Sequence, residues 1–229
     1  MTRILAIATH PDDETLGCGG ILLRHRAEGN EIHWVIVTRM DPTDFPTERI
    51  AQREAEIAAV AKAYGFAGVH VLGFPAASLD AIPQAKLISV LADVVRMVKP
   101  NMVLTPFPGD AHGDHRAVFE AVAPCTKTFR HPSVETVLAY ETLSETDFAL
   151  DPTTPAFRPN LFVEIGPFLE RKIDIMRLYV GELGEHPFPR SVEAIRAAAT
   201  LRGAQANCQA AEAFMVLKDV RRLKLRTNA

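Results

Sequence analysis

A chain of 229 residues with 48% hydrophobic and 23% charged residues has the composition of a globular protein that buries a core, which excludes disordered and fibrous classes. Its net charge of −3 lacks the broad basic footprint that binding a phosphate backbone requires, so nucleic acid is excluded as a main partner. The length suits a single α/β domain over residues 1–229.

In chain order, Ile4 to Ala8 is a continuous apolar run that predicts a strand covered on both faces, as in a parallel sheet. It runs into Thr9-His10-Pro11-Asp12-Asp13-Glu14, and a helix is expected over Thr15 to Ala27, ending near Gly29-Asn30. Ile32 to Thr38 reads as a second strand. The loop Arg39 to Pro46 leads to Thr47, a good N-cap for a helix reaching about Tyr64. Val69 to Leu72 reads as a third strand, and Ile82 to Lys99 as a helix stopped by Pro100. Met102 to Thr105 gives a fourth strand, and Asp114 to about Thr126 a further helix. Val134 to Tyr140 and Asn160 to Ile165 read as two later strands. From Gly166 onward the pattern turns helical: Pro167 to Val180, Ser191 to about Gln205, and a last stretch around Ala210 to Leu217. Alternating strands and helices imply a Rossmann-like three-layer domain with a mainly parallel central sheet and a helical C-terminal third, residues 166–229. The basic tail Lys218 to Arg226 lacks aromatic residues to stack on bases and reads as a solvated or subunit-facing end.

Two clusters carry chemistry. Asp12, Asp13 and Glu14 stand at the exit of a buried strand with no Lys or Arg within the next five residues, and unpaired buried carboxylates cost several kcal/mol, so a cation is the expected partner. Helix capping would explain one of these acids. The second cluster is His112-Gly113-Asp114-His115, whose histidines, three apart at the opening of a helix, share a face. In a doubly wound sheet the first and fourth strands are neighbours where the winding reverses, and ligands bind outside their carboxyl ends. Both clusters then line one crevice. They supply two imidazoles and a carboxylate for a metal, with a further acid and a further histidine left free. Such a set leaves a coordination position open and suits zinc, or else ferrous iron or manganese. A general base beside it and an oxyanion donor complete the parts for amide hydrolysis.

With both motifs in place, the sequence closely resembles the LmbE-like, or PIG-L, family of zinc-dependent de-N-acetylases. The likeness extends to the Thr38 loop, Arg53-Glu54, Asn160-Leu161-Phe162, and Arg202-Gly203 through Ala211-Glu212-Ala213-Phe214. The resemblance implies that His10, Asp13 and His115 bind zinc and that Asp12 is the general base. It further implies that His112 stabilises the oxyanion or acts as an acid, with Asp114 orienting it, and that Arg53 contacts the sugar. The alternative for Arg53 is an exposed helix residue paired with Glu54 or Glu56. Asp110 and Ala111 occupy the approach where some members carry a tyrosine. Glu14 receives no role.

The implied substrate is a small N-acetylated amino sugar or its conjugate, and a homo-oligomer is expected. Two rival readings are a nucleotide-dependent enzyme, because Gly17-Cys18-Gly19-Gly20 opens a helix after a strand, and a non-catalytic carbohydrate-binding module. The glycines do not match G-x-G-x-x-G. Trp34 and Cys18 are expected in the core, and His186 in a loop covering the site or a subunit contact. Scattered cysteines without C-x-x-C pairing fit a reducing cytosol. The apolar run after Arg3 is too short for a secretory core or a membrane span, so a cytoplasmic location is expected.

Overall fold

Strand β1 (Arg3–Ala8) divides its side chains between two apolar layers. Ile4, Ala6 and Ala8 point to one face and Leu5 and Ile7 to the other, the period of two that a strand buried on both sides imposes. The computed structural model describes residues 1–153 and 155–222. Helix α1 (Asp13–Ala27) follows, then β2 (Glu31–Arg39), α2 (Thr47–Tyr64), β3 (Gly68–Pro75), α3 (Gln84–Val98), β4 (Met102–Pro106) and α4 (Gly113–Cys125). The remainder is β5 (Thr136–Tyr140), β6 (Leu161–Glu164), α5 (Leu169–Met176), α6 (Val192–Ala206) and β7 (Ala211–Asp219).

The strands form one seven-stranded sheet in the order β3-β2-β1-β4-β5-β7-β6. The five strands β1 to β5 run parallel, and β7 is antiparallel to both β5 and β6. On one face, Leu22 of α1, Val60 and Tyr64 of α2, Ile173 of α5 and Ile195 of α6 pack with Trp34. On the other, Leu87, Leu91 and Val95 of α3 meet Val118 and Val122 of α4. The α/β class, the three layers and the adjacency of β1 and β4 agree with the sequence.

Two elements differ. Ala210 to Leu217, expected to be helical, lies within and before β7, because its strand ladder fills the gap between β5 and β6. Alanine, glutamate, methionine and leucine are strong helix formers, and the sheet overrides that preference. The helix expected over Pro167 to Val180 is confined to Leu169–Met176, preceded by a 3₁₀ turn at Gly166–Phe168. At α2 the cap position is held by Pro46, with Thr47 already inside the helix and no side-chain cap. Ser191 does cap α6, accepting from the Ala194 amide at 3.1 Å. Trp34 and Cys18 are both fully buried. Of the basic tail 218–226, residues 223–226 lie outside the described residues, and Lys218 is tied to the carbonyls of Thr126 and Val134.

Helix α1 breaks at Cys18, whose φ of −140° is not helical. In an unbroken helix the Gly20 amide would donate to the Leu16 carbonyl. Instead Glu212 of β7 accepts from the Gly20 and Ile21 amides at 2.7 and 2.8 Å. Lys172 of α5 donates to the Leu16 carbonyl at 2.9 Å and to Glu212 at 2.7 Å. The glycines serve close packing: a Cβ on Gly17 would lie 2.1 Å from the Tyr140 ring, and one on Gly20 2.6 Å from Ile165. Their surroundings are filled by side chains, and the amides a phosphate would need are taken, which removes the basis of the nucleotide reading.

Candidate metal centre and active site

The end of β1 and the start of α4 meet as the topology requires. The ring centroids of His10 and His112 are 4.5 Å apart, and each lies 5.6 Å from that of His115. Asp13 Oδ2 accepts from the His10 amide at 2.8 Å, which aims its carboxylate back across the turn. The same oxygen sits 3.3 Å from His115 Nε2 and 3.7 Å from His10 Nδ1. His115 Nε2 is buried, and its approach to Asp13 lacks the alignment of a hydrogen bond.

A metal fits here. Ligand atoms from His10, Asp13 and His115 all fall within 4.8 Å of one another. Each imidazole has its other nitrogen beside a carboxylate: His115 Nδ1 lies 2.7 Å from Asp110 Oδ2, and His10 Nε2 lies 3.3 Å from Asp114 Oδ2. That arrangement fixes tautomer and ring orientation and leaves one lone pair of each ring facing the shared space. A second trio, His10, His112 and Asp114, is equally close. It is less suited, because Asp114 already accepts the Ala77 and Leu79 amides at 2.7 and 3.1 Å and His112 Nδ1 accepts the Asp114 amide.

Electrostatics follow from this packing. Burial alone would raise the Asp13 pKa, but His115 and His10 outweigh it and hold the carboxyl well below its ordinary value. Burial likewise opposes charge on His115, and Asp13 and Asp110 reverse the effect, so its pKa is raised. Burial and the neighbouring histidines lower the pKa of His112. Since His112 Nδ1 accepts a backbone N–H at 3.2 Å, the proton of the neutral ring sits on Nε2, where it can be donated into the cavity.

Asp12 adopts φ 148° and makes no side-chain cap to α1. Capping therefore accounts for none of its carboxylate. Burial, then Asp13, raises its pKa, and Arg190 Nη1 lies 3.0 Å from Oδ2. Glu14 is fully buried and accepts from the Thr15 and Tyr179 hydroxyls at 2.5 and 2.7 Å, while its other oxygen accepts the Asp12 amide at 3.2 Å. Burial pushes its pKa up to about 7.

Sequence reasoning placed some of these groups differently. Asp114 does touch His112, but through its backbone amide; its carboxylate faces His10. Arg53 is not an exposed helix residue: it is buried, donates to the Pro11 carbonyl at 2.9 Å and pairs with Glu56 and Glu182. It lines a cavity of about 560 Å³ together with His10, Asp12, Asp13, His112 and Arg190. His186 is exposed and does not line it. Asp110 and Arg190 were missed. Asp110 could have been found as an acid five residues before His115, whereas nothing local marks Arg190.

The fold and the trio define an α/β protein with a metal-competent site at the switch point of a doubly wound sheet. The chain belongs to the PIG-L family, whose GlcNAc-PI de-N-acetylase model matches residues 5–126. It is 30% identical to the uncharacterized deacetylase YaiS of Escherichia coli K12 over 71% of this chain and 81% of that one. It is 26% identical to the diacetylchitobiose deacetylase of Thermococcus kodakarensis over 83% and 72%. Among solved structures, the conserved protein TT1542 of Thermus thermophilus superposes with a TM-score of 0.77 at 27% identity, covering 98% of each chain. The 4-carboxy-2-hydroxymuconate hydratase GalB of Pseudomonas putida KT2440, at 20% identity, TM-score 0.70 and coverage of 98% and 100%, shares the fold. Homologues are named as N-deacetylases of amino sugars. Among the described residues no helix is long and apolar enough to cross a membrane.

Proposed function

We propose that this chain is a metal-dependent hydrolase that removes the acetyl group from a small N-acetylated amino sugar or its conjugate. It would work in the cytoplasm and as a homo-oligomer. The observation that carries the reading is the His10–Asp13–His115 trio, with the unpartnered His115 Nε2, beside an Asp12 carboxylate that is committed to no helix amide. His10, Asp13 and His115 would hold zinc, with ferrous iron or manganese as alternatives. When bound, such a cation supplies a Lewis acid that polarises an amide carbonyl and acidifies water.

The chain's own groups do the rest. Asp12, whose carboxylate lines the cavity and is committed to no helix amide, takes the proton of the attacking water. Arg190 orients that carboxylate through its Nη1, 3.0 Å from Oδ2. His112 donates its Nε2 proton to the developing oxyanion, and the Asp114 amide holds the ring in that tautomer. Arg53, fixed by Pro11, Glu56 and Glu182, contacts the sugar. The test is amine release from a panel of free, nucleotide-linked, lipid-linked and thiol-linked N-acetyl sugars with zinc supplied. Asp12→Asn should retain about one metal per chain and lose at least a hundredfold in kcat, the usual contribution of a positioned base; unchanged turnover would assign the base elsewhere.

A further inference from the structure

Two histidines stand together away from the catalytic cavity. His33 is the third residue of β2 and His70 the third of β3, the edge strand of the sheet. His33 and Gly68 are register partners, as are Val35 and His70, so the period of two puts both imidazoles on one face. That face is the one α3 and α4 cover, because Val35 and Val37 of the same strand pack with them. Val71, which lines the catalytic cavity, projects from the other.

His33 Nε2 donates to the Glu31 carboxylate at 2.7 Å. A carboxylate only accepts, so the proton of the neutral His33 ring sits on Nε2 and its lone pair on Nδ1. That lone pair meets His70 Nε2 across 3.4 Å, beyond the range of about 2.7–3.2 Å in which an N–H donor and its acceptor normally settle. The ring centroids are 5.6 Å apart, so the two nitrogens lie on the edges that face each other. Two nitrogens bound to one tetrahedral zinc at about 2.0–2.1 Å are themselves about 3.3–3.4 Å apart, the separation found here. Glu31 stands to His33 as a carboxylate stands to a ligating histidine, fixing its tautomer and raising its basicity. A Cβ on Gly68 would lie 2.8 Å from His33 Nδ1 and 3.2 Å from His70 Nε2, so a larger residue at that position would crowd both donor atoms. We propose that His33 Nδ1 and His70 Nε2 form a second divalent-cation site, for zinc or a cation of its class, with Glu31 as the positioning carboxylate and water completing the coordination. Its occupant clasps the edge strand β3 to β2, which stabilises the fold and takes no part in turnover.

The experiment is calorimetric titration of the metal-stripped protein with zinc chloride. The parent should bind one equivalent at the His10–Asp13–His115 trio and a second, weaker one at His33 and His70. His33→Asn and His70→Asn should each abolish the second equivalent and leave the first; both side chains are only partly buried, so the fold survives their replacement. Glu31→Gln, which removes no ligand, should weaken the second equivalent by about 10- to 100-fold. In protein already loaded at the tighter site, free zinc at a hundredfold excess over the second dissociation constant should raise the melting temperature by about 5–11 °C. That rise should be missing from both asparagine variants. Zinc binding that neither asparagine variant changes, whether of two equivalents, one or none, overturns the proposal. A single equivalent that is lost in His70→Asn and kept in His115→Ala supports this site and counts against the trio.

Discussion

Glu212 and Lys172 bridge the break in α1, and their removal gives a measurable prediction. Both are about 5% exposed, and together they replace the missing Gly20-to-Leu16 hydrogen bond with contacts to both halves of the helix. Glu212→Gln leaves a buried ammonium without its counter-charge and presents an NH₂ group to at least one of the Gly20 and Ile21 amides. Breaking one side of a buried ion pair costs about 3–5 kcal/mol. At about 2–4 °C per kcal/mol for a protein of this size, the melting temperature should fall by about 6–20 °C. Thermal unfolding followed by circular dichroism reads this directly. Lys172→Met combined with Glu212→Gln should be less destabilised than the sum of the two single variants, because no lone charge remains buried. A Glu212→Gln protein melting within about 2 °C of the parent, or strict additivity in the double variant, would refute the bridging role.

Two further predictions concern the centre itself. Asp110→Asn should weaken zinc affinity by about 10- to 100-fold through loss of the carboxylate that fixes His115, measured by competition with a chelator of known affinity; unchanged affinity would show that His115 is oriented by other contacts. Glu14→Gln presents its NH₂ group either to the Asp12 amide or to the Thr15 and Tyr179 hydroxyls, donor against donor in the first case, so kcat should fall about tenfold or more with KM and metal content preserved. Equal losses of metal and kcat would instead assign Glu14 to the stability of the centre.

Much of the sheet was legible because β1, β2 and β4 are continuous apolar runs, and only strands covered on both faces read that way. The end of the chain was not. Ala211 to Asp219 carries residues that favour helices when judged locally, and its strand identity depends on the open edges of β5 and β6, which no local window contains. The same separation hides Glu212, whose partners lie 40 and about 190 residues away. The resemblance marks its position, but its bridging role shows only once α1 is known to break.

The centre was legible to the extent that its residues are neighbours in sequence. Thr9 to Glu14 and His112 to His115 announce themselves, and the topology rule joins them across about a hundred residues. Which group of each residue acts is a different matter. An aspartate at the start of a helix normally commits its carboxylate to the free amides there. The Asp12 carbonyl accepts the Thr15 and Leu16 amides at 2.9 Å each, as the carbonyl at a helix start does, but its side chain caps nothing. Its φ of 148° is a conformation that costs a side-chain-bearing residue about 1–3 kcal/mol. That strain is sustained by the Glu14 carboxylate on the Asp12 amide, by the two cap bonds and by the Arg53 contact to Pro11. The consequence is chemical: the Asp12 carboxylate, uncommitted to the helix amides, lines the cavity, where Arg190 meets it. Glu14, which had no role when read as the third acid in a row, is then the group that holds the backbone of the first one in place.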